Sequence, residues 1–144
     1  MDINKLIKFR GKNKYLDKYI ENKLLKYGLS IPSSVKIGKN VYFPHNAVGT
    51  VIHPWAVIGN NVKIYQNVTL GRADIWQDSS KSKFKSIHIG DGAIICAGAK
   101  VICKKGTLRV GKNTIIGANA VLTCSTGDNE IWAGIPAKKI KDRK

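Results

Sequence analysis

The feature of this sequence that most restricts its fold is a branched aliphatic residue that returns every six positions. The first sixes, IPSSVK and IGKNVY, begin at Ile31 and Ile37, and the period continues with interruptions to residue 127. An amphipathic helix repeats about every 3.6 residues and a half-buried strand about every two, so neither produces this pattern. A fixed internal period is typical of a solenoid, in which each repeat packs against its neighbours.

The composition of each six predicts one short strand followed by a tight turn, with three sixes closing one coil. The first residue points inward, and the fifth is small or β-branched, as at Ala47, Ala56 and Ala93, because a large side chain would not fit there. The Asn and Gly residues at positions two to four tolerate the positive φ of a sharp corner. The pattern therefore predicts an all-β solenoid, a parallel β-helix of hexapeptide repeats.

Three interruptions and two flanking segments set the predicted organisation. Extra residues at 49–51 and 107–109 and a polar loop at 72–86 break the period, and a non-periodic loop of that length inside a compact domain suggests a function. We predict a helical cap over residues 1–30, the β-helix over 31–134 and a basic tail over 135–144. Within the cap, residues 12–28 predict a short helix that Gly28 ends. Its predicted apolar face is Leu16, Tyr19, Ile20, Leu24 and Tyr27.

The chain is strongly basic, with 25 Lys and Arg against nine Asp and Glu and a formal net charge of +16. Such a charge favours anionic partners, but no nucleic-acid-binding motif accompanies it, so we expect no nucleic-acid partner. No apolar run is long enough for a transmembrane segment, and no signal-peptide core is present. Three cysteines, Cys96, Cys103 and Cys124, are too few for a disulfide framework. These features predict a cytoplasmic protein.

His45 is the residue of greatest chemical interest. It occupies the third position of its six, FPHNAV, where a side chain at a coil corner points outward. Imidazole can accept a proton from a hydroxyl near neutral pH, and a rigid corner is a suitable platform for such a group. Judged on the residues alone, a surface histidine without function is the simpler interpretation.

Several segments resemble the serine acetyltransferase branch of the hexapeptide-repeat acyltransferases. Residues 43–71, FPHNAVGTVIHPWAVIGNNVKIYQNVTLG, resemble its central motif, IGDGAIICAGAKVI and VGKNTIIGANAVL its later coils, and EIWAGIPAKKI its closing segment. Among relatives, the chain looks most like the short O-acetyltransferases of surface-polysaccharide gene clusters. The resemblance implies a left-handed β-helix, a homotrimer with sites between subunits, and acetyl-CoA as co-substrate without a metal.

The resemblance also implies roles for individual residues. His45 matches the general base that deprotonates the acceptor hydroxyl for direct attack on the acetyl thioester, and the N–H of Gly71 would stabilise the oxyanion. Apart from these matches, His53 is expected to assist His45 across the subunit interface, and Trp76 to stack on a sugar ring or on adenine. Small residues are expected along the pantetheine and lysines at the CoA phosphates: Ala97, Gly98, Ala99, Ala118, Ala120, Lys104, Lys105, Lys138 and Lys139.

The departures from the family pattern concern the acceptor. Ser30 and Pro44 stand where serine acetyltransferases carry Asp, Ser86 stands in place of a second His, and the N-terminal segment is short. We therefore hypothesise an acetyl-CoA-dependent O-acetyltransferase that acts on a sugar hydroxyl of a cell-surface polysaccharide or its precursor. The alternatives are a serine O-acetyltransferase, a zinc carbonic anhydrase using three histidines, and a non-catalytic β-helix interaction module.

Overall fold

The computed structural model describes residues 2–144, which form two helices and thirteen strands. The helices are α1 (Ile3–Ile7) and α2 (Lys14–Lys26), and a tight turn spans Pro44–Ala47. None of the helices in residues 2–144 has the length and apolar character needed to cross a membrane. The strands are β1 (Lys36–Ile37), β2 (Val51–Ile52), β3 (Ala56–Ile58), β4 (Lys63–Ile64), β5 (Thr69–Arg72), β6 (Phe84–Ile89), β7 (Ile94–Ile95), β8 (Lys100–Cys103), β9 (Gly106–Val110), β10 (Ile115–Ile116), β11 (Val121–Leu122), β12 (Glu130–Gly134) and β13 (Ala137–Asp142).

The strands form three sheets, which are parallel apart from the last pairing. Face A contains β2, β5, β8 and β11, face B contains β1, β3, β6 and β9, and face C contains β4, β7, β10, β12 and β13. Consecutive strands from β2 to β11 visit faces A, B and C in turn, so each coil adds one strand to every face. This arrangement is a parallel β-helix preceded by short helices, as the six-residue period predicts.

The register between coils shows where extra residues enter. Val51 pairs with Thr69, eighteen residues further on, which is three sixes. Lys36 pairs with Val57, twenty-one residues on, because the residues at 49–51 are inserted into that coil. The step grows to thirty-one residues where the long loop intervenes, between Val57 and its partner His88. The loop is shorter than predicted, because Arg72 ends β5 and residues 84–86 begin β6.

The interior of the β-helix holds the residues that the period places there. Every first-position residue except Ile37 is buried. At the fifth position, the Val and Ala side chains and Thr114 are buried, with the exception of Val41. Each fully buried Ile contributes about 1.5–3 kcal/mol relative to an exposed one, so the stack supplies the main stabilisation. At the corners, Asn residues adopt positive φ: Asn40, Asn61, Asn67, Asn113 and Asn119.

The N-terminal segment packs on the first coil through two helices instead of one. Asn13 caps α2 by accepting a hydrogen bond from the backbone N–H of Leu16, and Ile20 and Leu24 are fully buried. Tyr19 and Tyr27, predicted on the same face, are more than 40% exposed, so the buried stripe is narrower than expected. The sequence analysis missed α1, whose five residues are too short for a periodic signal.

The C-terminal residues differ from the predicted basic tail over 135–144. Residues Ala137–Asp142 form β13, which pairs antiparallel with β12. Arg143 extends this attachment, because its backbone N–H donates to the carbonyl of Asn129 and its side chain to that of Asn113. The hairpin satisfies the backbone groups at the outer edge of face C, which a free tail would leave unpaired.

The narrow interior can be tested at two alanines of one coil. Ala120 is fully buried at a fifth position, whereas Ala118 is exposed at the corner. We expect Ala120→Leu to lower the free energy of unfolding by about 1–3 kcal/mol, because the extra carbons have no space. The control Ala118→Leu should change it by less than about 0.5 kcal/mol. Urea unfolding of both variants measures this difference, and equal effects would contradict the assignment of the interior.

Candidate functional site

The corner that joins face C to face A brings several predicted site residues together. His45 lies in the first coil at this corner, and Ala97 and Ala118 lie two and three coils further along it. Backbone hydrogen bonds connect the coils, from Gly98 N–H to the Gln66 carbonyl at 3.0 Å and from Asn119 N–H to the Ala97 carbonyl at 2.9 Å. We call this line of residues the small-residue corner: His45, Gln66, Asn67, Ala97, Gly98 and Ala118.

The turn that carries His45 has an uncommon backbone conformation. His45, Asn46 and Ala47 have φ values of 54°, 53° and 44°, three consecutive non-glycine residues in the left-handed region. Such a conformation costs about 1–2 kcal/mol per residue, and Asn tolerates it best. Strain of this kind persists only where the surroundings enforce it, and it is concentrated at functional sites.

Helix α1 supplies the contacts that enforce this turn. The Asn4 side chain accepts from the Phe43 N–H at 2.7 Å and donates to the Phe43 carbonyl at 3.2 Å, so both backbone groups before the turn are fixed. The Asn46 side chain accepts from the N–H of Ile3 at 3.3 Å, and Pro44 is buried beneath the turn. Helix α1 thereby sets the position of the backbone that carries His45.

The His45 side chain is exposed and makes no hydrogen bond within residues 2–144. Its nearest aromatic neighbour is Tyr65 in the next coil, with ring centroids 6.3 Å apart and an interplanar angle of 50°. No carboxylate of the described chain orients the imidazole. The backbone turn and the Tyr65 ring are therefore what define its surroundings.

A second cluster lies at the opposite end of face A, where that face joins face B. The rings of His53 and Phe84 are 4.5 Å apart, and Trp55 stacks on Phe84 at 5.9 Å with an interplanar angle of 9°. We call His53, Trp55 and Phe84 the aromatic cluster. His53 was predicted to assist His45 across the subunit interface; within one chain face A separates the two, and that role stays a prediction. Trp55 was missed, although its corner position in IHPWAV signals an outward side chain.

His53 is held in one tautomer by its surroundings. Its Nδ1 accepts the backbone N–H of Trp55 at 3.1 Å, which leaves Nε2 to carry the proton of the neutral ring. Burial, together with the nearby positive charge of Arg72, lowers the pKa of His53. The ring is therefore neutral near pH 7, and Nε2–H is a hydrogen-bond donor without a partner in residues 2–144.

The predicted CoA contacts divide into two groups. Ala97, Gly98 and Ala118 reach the surface at the small-residue corner. Ala99 and Ala120 are fully buried in the core, because the fifth position of each six points inward. Their side chains cannot contact CoA, and a contact through their backbone stays a prediction.

The predicted phosphate-binding lysines are dispersed. Lys104 and Lys105 are exposed after β8, at the far end of face A from the small-residue corner, and Lys138 is exposed on β13. Lys139 is engaged by two carboxylates, Asp142 at 2.8 Å and Glu130 at 3.1 Å. These hydrogen bonds raise the pKa of Lys139, and its charge is already compensated within the chain.

The remaining predicted site residues lie on face A and in the long loop. Gly71 belongs to β5 and pairs with Ile102 of β8, and a Cβ there would meet only ordinary contacts, the nearest at 3.6 Å. The oxyanion role of its N–H stays a prediction. Trp76 is 75% exposed in the loop and takes no part in the aromatic cluster.

Two further expectations concern thiols and metals. Burial raises the pKa values of Cys96 and Cys103, which disfavours their thiolates, and Cys124 is exposed. Across residues 2–144, no group of three or more His, Cys, Asp or Glu side chains has the arrangement of a metal site.

Comparison with known proteins gives consistent relatives. Residues 107–129 match the family described as the hexapeptide repeat of succinyl-transferase. Serine acetyltransferase from Staphylococcus aureus is 38% identical over 115 residues, which are 79% of this chain and 49% of that protein. The Staphylococcus epidermidis enzyme is 37% identical over the same length. The chain thus spans about half the length of the curated relatives that it matches.

Solved structures give the same result. A serine acetyltransferase from Neisseria gonorrhoeae superposes with a TM-score of 0.75 at 29% identity, over 91% of this chain and 47% of that one. A serine acetyltransferase from Brucella abortus in complex with coenzyme A superposes with a TM-score of 0.70 at 28% identity, over 90% and 47%. Because 90% or more of this chain superposes, the similarity includes more than the six-residue repeats.

Removal of the Asn4 side chain tests whether α1 holds the strained turn. We expect Asn4→Ala to lower the free energy of unfolding by about 1–3 kcal/mol, because the Phe43 N–H and carbonyl lose their partners. Amide hydrogen exchange should also accelerate at residues 45–47. The control Asn22→Ala removes an exposed side chain of α2 and should leave both measurements near wild type. Unchanged exchange at 45–47 in Asn4→Ala would refute the role of α1.

The histidines predict how stability responds to pH. Burial and neighbouring cations lower the pKa values of His53 and His88, so below about pH 6.5 the unfolded chain binds protons that the native state resists. The free energy of unfolding should therefore decrease as the pH falls from 8 to 5.5. His53→Gln should reduce this decrease in urea unfolding measured at both pH values. A pH dependence identical to wild type would contradict the inferred direction.

Proposed function

Because this chain is a member of the hexapeptide-repeat acyltransferase family and a homologue of the serine acetyltransferases, we propose that it is an acetyl-CoA-dependent O-acetyltransferase. The observation that carries the proposal is the position of His45 on an enforced left-handed turn, at the head of the small-residue corner. An exposed imidazole on a rigid support is suited to take a proton, and the small residues beside it leave room for an extended thiol ester.

The proposed reaction is a direct transfer. His45 removes the proton of the acceptor hydroxyl as the oxygen attacks the acetyl carbonyl carbon of acetyl-CoA. A new C–O bond forms, the C–S bond breaks, and the proton held by His45 passes to the departing thiolate, which leaves as CoA. The negative charge on the carbonyl oxygen requires a hydrogen-bond donor, for which the Gly71 N–H is the candidate.

CoA would lie along the small-residue corner. Ala97, Gly98 and Ala118 offer backbone and small side chains at the surface, so the pantetheine can pack closely against the coil. Among the lysines, Lys104, Lys105 and Lys138 are candidates for the CoA phosphates, whereas the ion pairs of Lys139 argue against it. One relative is described in complex with coenzyme A, which supports CoA as the co-substrate.

Two acceptors are candidates. The names of the relatives favour L-serine over the sugar hydroxyl that the sequence analysis preferred, and one relative is described in complex with serine. A sugar hydroxyl is the second candidate, favoured by the exposed ring of Trp55 and by the absence of a carboxylate bonded to His45. We also propose, from the family resemblance, that the coils wind with a left hand and that three chains assemble with sites between them.

Replacement of His45 tests the proposed base. CoA release from acetyl-CoA should require an acceptor, either L-serine or a methyl glycoside, and should fall at least about a hundredfold in His45→Ala because a general base contributes that much. His88→Gln is the matched control, since His88 lies on face B and bonds to Arg109. A thiol-reactive chromophore measures the release. Wild-type rates in His45→Ala would overturn the assignment.

A further inference from the structure

We infer that the aromatic cluster is the subsite that binds the ring of a sugar acceptor, with Trp55 as its stacking platform. The inference rests on the proposed acetyl transfer and names the substrate class. Three observations support it: the geometry of the rings, the fixed backbone beneath them and the polar groups around them.

About half of the Trp55 side chain is open to solvent. Phe84 is only 4% exposed and lies nearly parallel to the indole, with ring centroids 5.9 Å apart. Trp55 nevertheless remains 51% exposed, so much of the indole is accessible to a ligand. An exposed indole face is a large, flat, apolar surface of the kind that packs against the C–H groups of a pyranose ring.

The backbone that carries the indole is fixed from neighbouring coils. The Ser86 hydroxyl donates to the Trp55 carbonyl at 2.6 Å, and the Ser34 hydroxyl donates to the Pro54 carbonyl at 2.8 Å. The Trp55 N–H is bound by His53. A platform that is already ordered loses little conformational entropy when a ligand binds, which favours a binding role over a mobile surface side chain.

The surrounding polar groups suit hydroxyl ligands. His53 presents a neutral Nε2–H donor, and the hydroxyl oxygens of Ser34 and Ser86 keep lone pairs as acceptors after donating their protons. No carboxylate belongs to this set. A sugar ring combines an apolar face with hydroxyls at its edge, and therefore matches the cluster better than a free amino acid, whose ammonium group requires an anionic partner.

The proposal requires the aromatic cluster of one subunit to lie beside His45 of another in the proposed assembly, because within one chain the two are at opposite ends of face A. The small-residue corner, where the pantetheine is proposed to lie, is at one end of face A, and Trp55 is at the other end. The cluster is also separate from Trp76, the tryptophan that the sequence analysis selected for stacking. The KM for acetyl-CoA in a Trp55 variant therefore distinguishes the acceptor from the nucleotide of CoA.

Kinetics with a methyl glycoside and acetyl-CoA test the platform. We expect Trp55→Leu to raise the KM for the glycoside about tenfold, because the aromatic face is lost, with the KM for acetyl-CoA unchanged. Trp55→Phe retains a ring and should stay within about threefold of wild type. Tyr15→Ala removes an 80% exposed aromatic side chain on α2 and serves as the control. A methyl aglycone is used because an aromatic one would itself stack.

Three results would overturn the proposal: a higher KM for acetyl-CoA in Trp55→Leu, the same loss in Trp76→Ala, or an altered oligomeric state in Trp55→Leu. The first result would mean that Trp55 binds the nucleotide of CoA. The second would mean that the sugar stacks on the loop, and the third that Trp55 is part of a subunit contact. Size-exclusion chromatography with light scattering distinguishes the last.

A binding measurement separates this proposal from the acetyl-transfer proposal. Methyl glycoside should shift the indole N–H resonance of Trp55, identified by its loss in Trp55→Phe, in the nitrogen–proton spectrum of the intact protein. A shift without acetyl transfer to any acceptor would support the sugar site and refute the enzyme. His45-dependent transfer to L-serine without a glycoside shift would support the enzyme and refute the sugar site.

Discussion

The interior of each coil has room for only one large side chain and one small side chain per six residues, and the rest of the structure depends on this constraint. Large first-position residues stack along the helix, while buried alanines such as Ala99 and Ala120 allow the chain to turn. Because the interior is filled, most polar residues between these positions are directed to the surface, with Thr50 and Asp74 as buried exceptions. The three faces and their corners thus become a rigid external scaffold on which chemistry can be arranged.

The same scaffold explains why both candidate sites lie at corners. At one corner, a run of left-handed residues presents His45, and the cost of that backbone is offset by contacts from α1. At another, the aromatic cluster holds the indole of Trp55 against Phe84. These two sites lie at opposite ends of face A, so within a single chain they are separate. Assembly of several chains, as the family resemblance implies, is the arrangement in which two such corners could face one another.

The difference from the expected family pattern is greatest around the candidate base. The sequence analysis noted that Ser30 and Pro44 replace the carboxylates of serine acetyltransferases, and it left open what orients His45. The structure fixes the backbone of the turn, since Asn4 binds both polar groups of Phe43 and Pro44 is buried, while the imidazole itself has no hydrogen-bond partner in residues 2–144. The comparisons nevertheless favour serine as acceptor, which makes the choice between serine and a sugar the main experimental question.

The sequence by itself determined the coil, its buried positions and its three interruptions, because these follow from a short-range period that any stacked neighbour must satisfy. Tertiary structure alone decided the rest. It placed α1 against the His45 turn, folded the expected tail back as β13, engaged Lys139 with two carboxylates and joined Trp55 to Phe84. Each of these contacts links residues whose pairing depends on side-chain geometry in three dimensions, and no local repeat encodes that geometry.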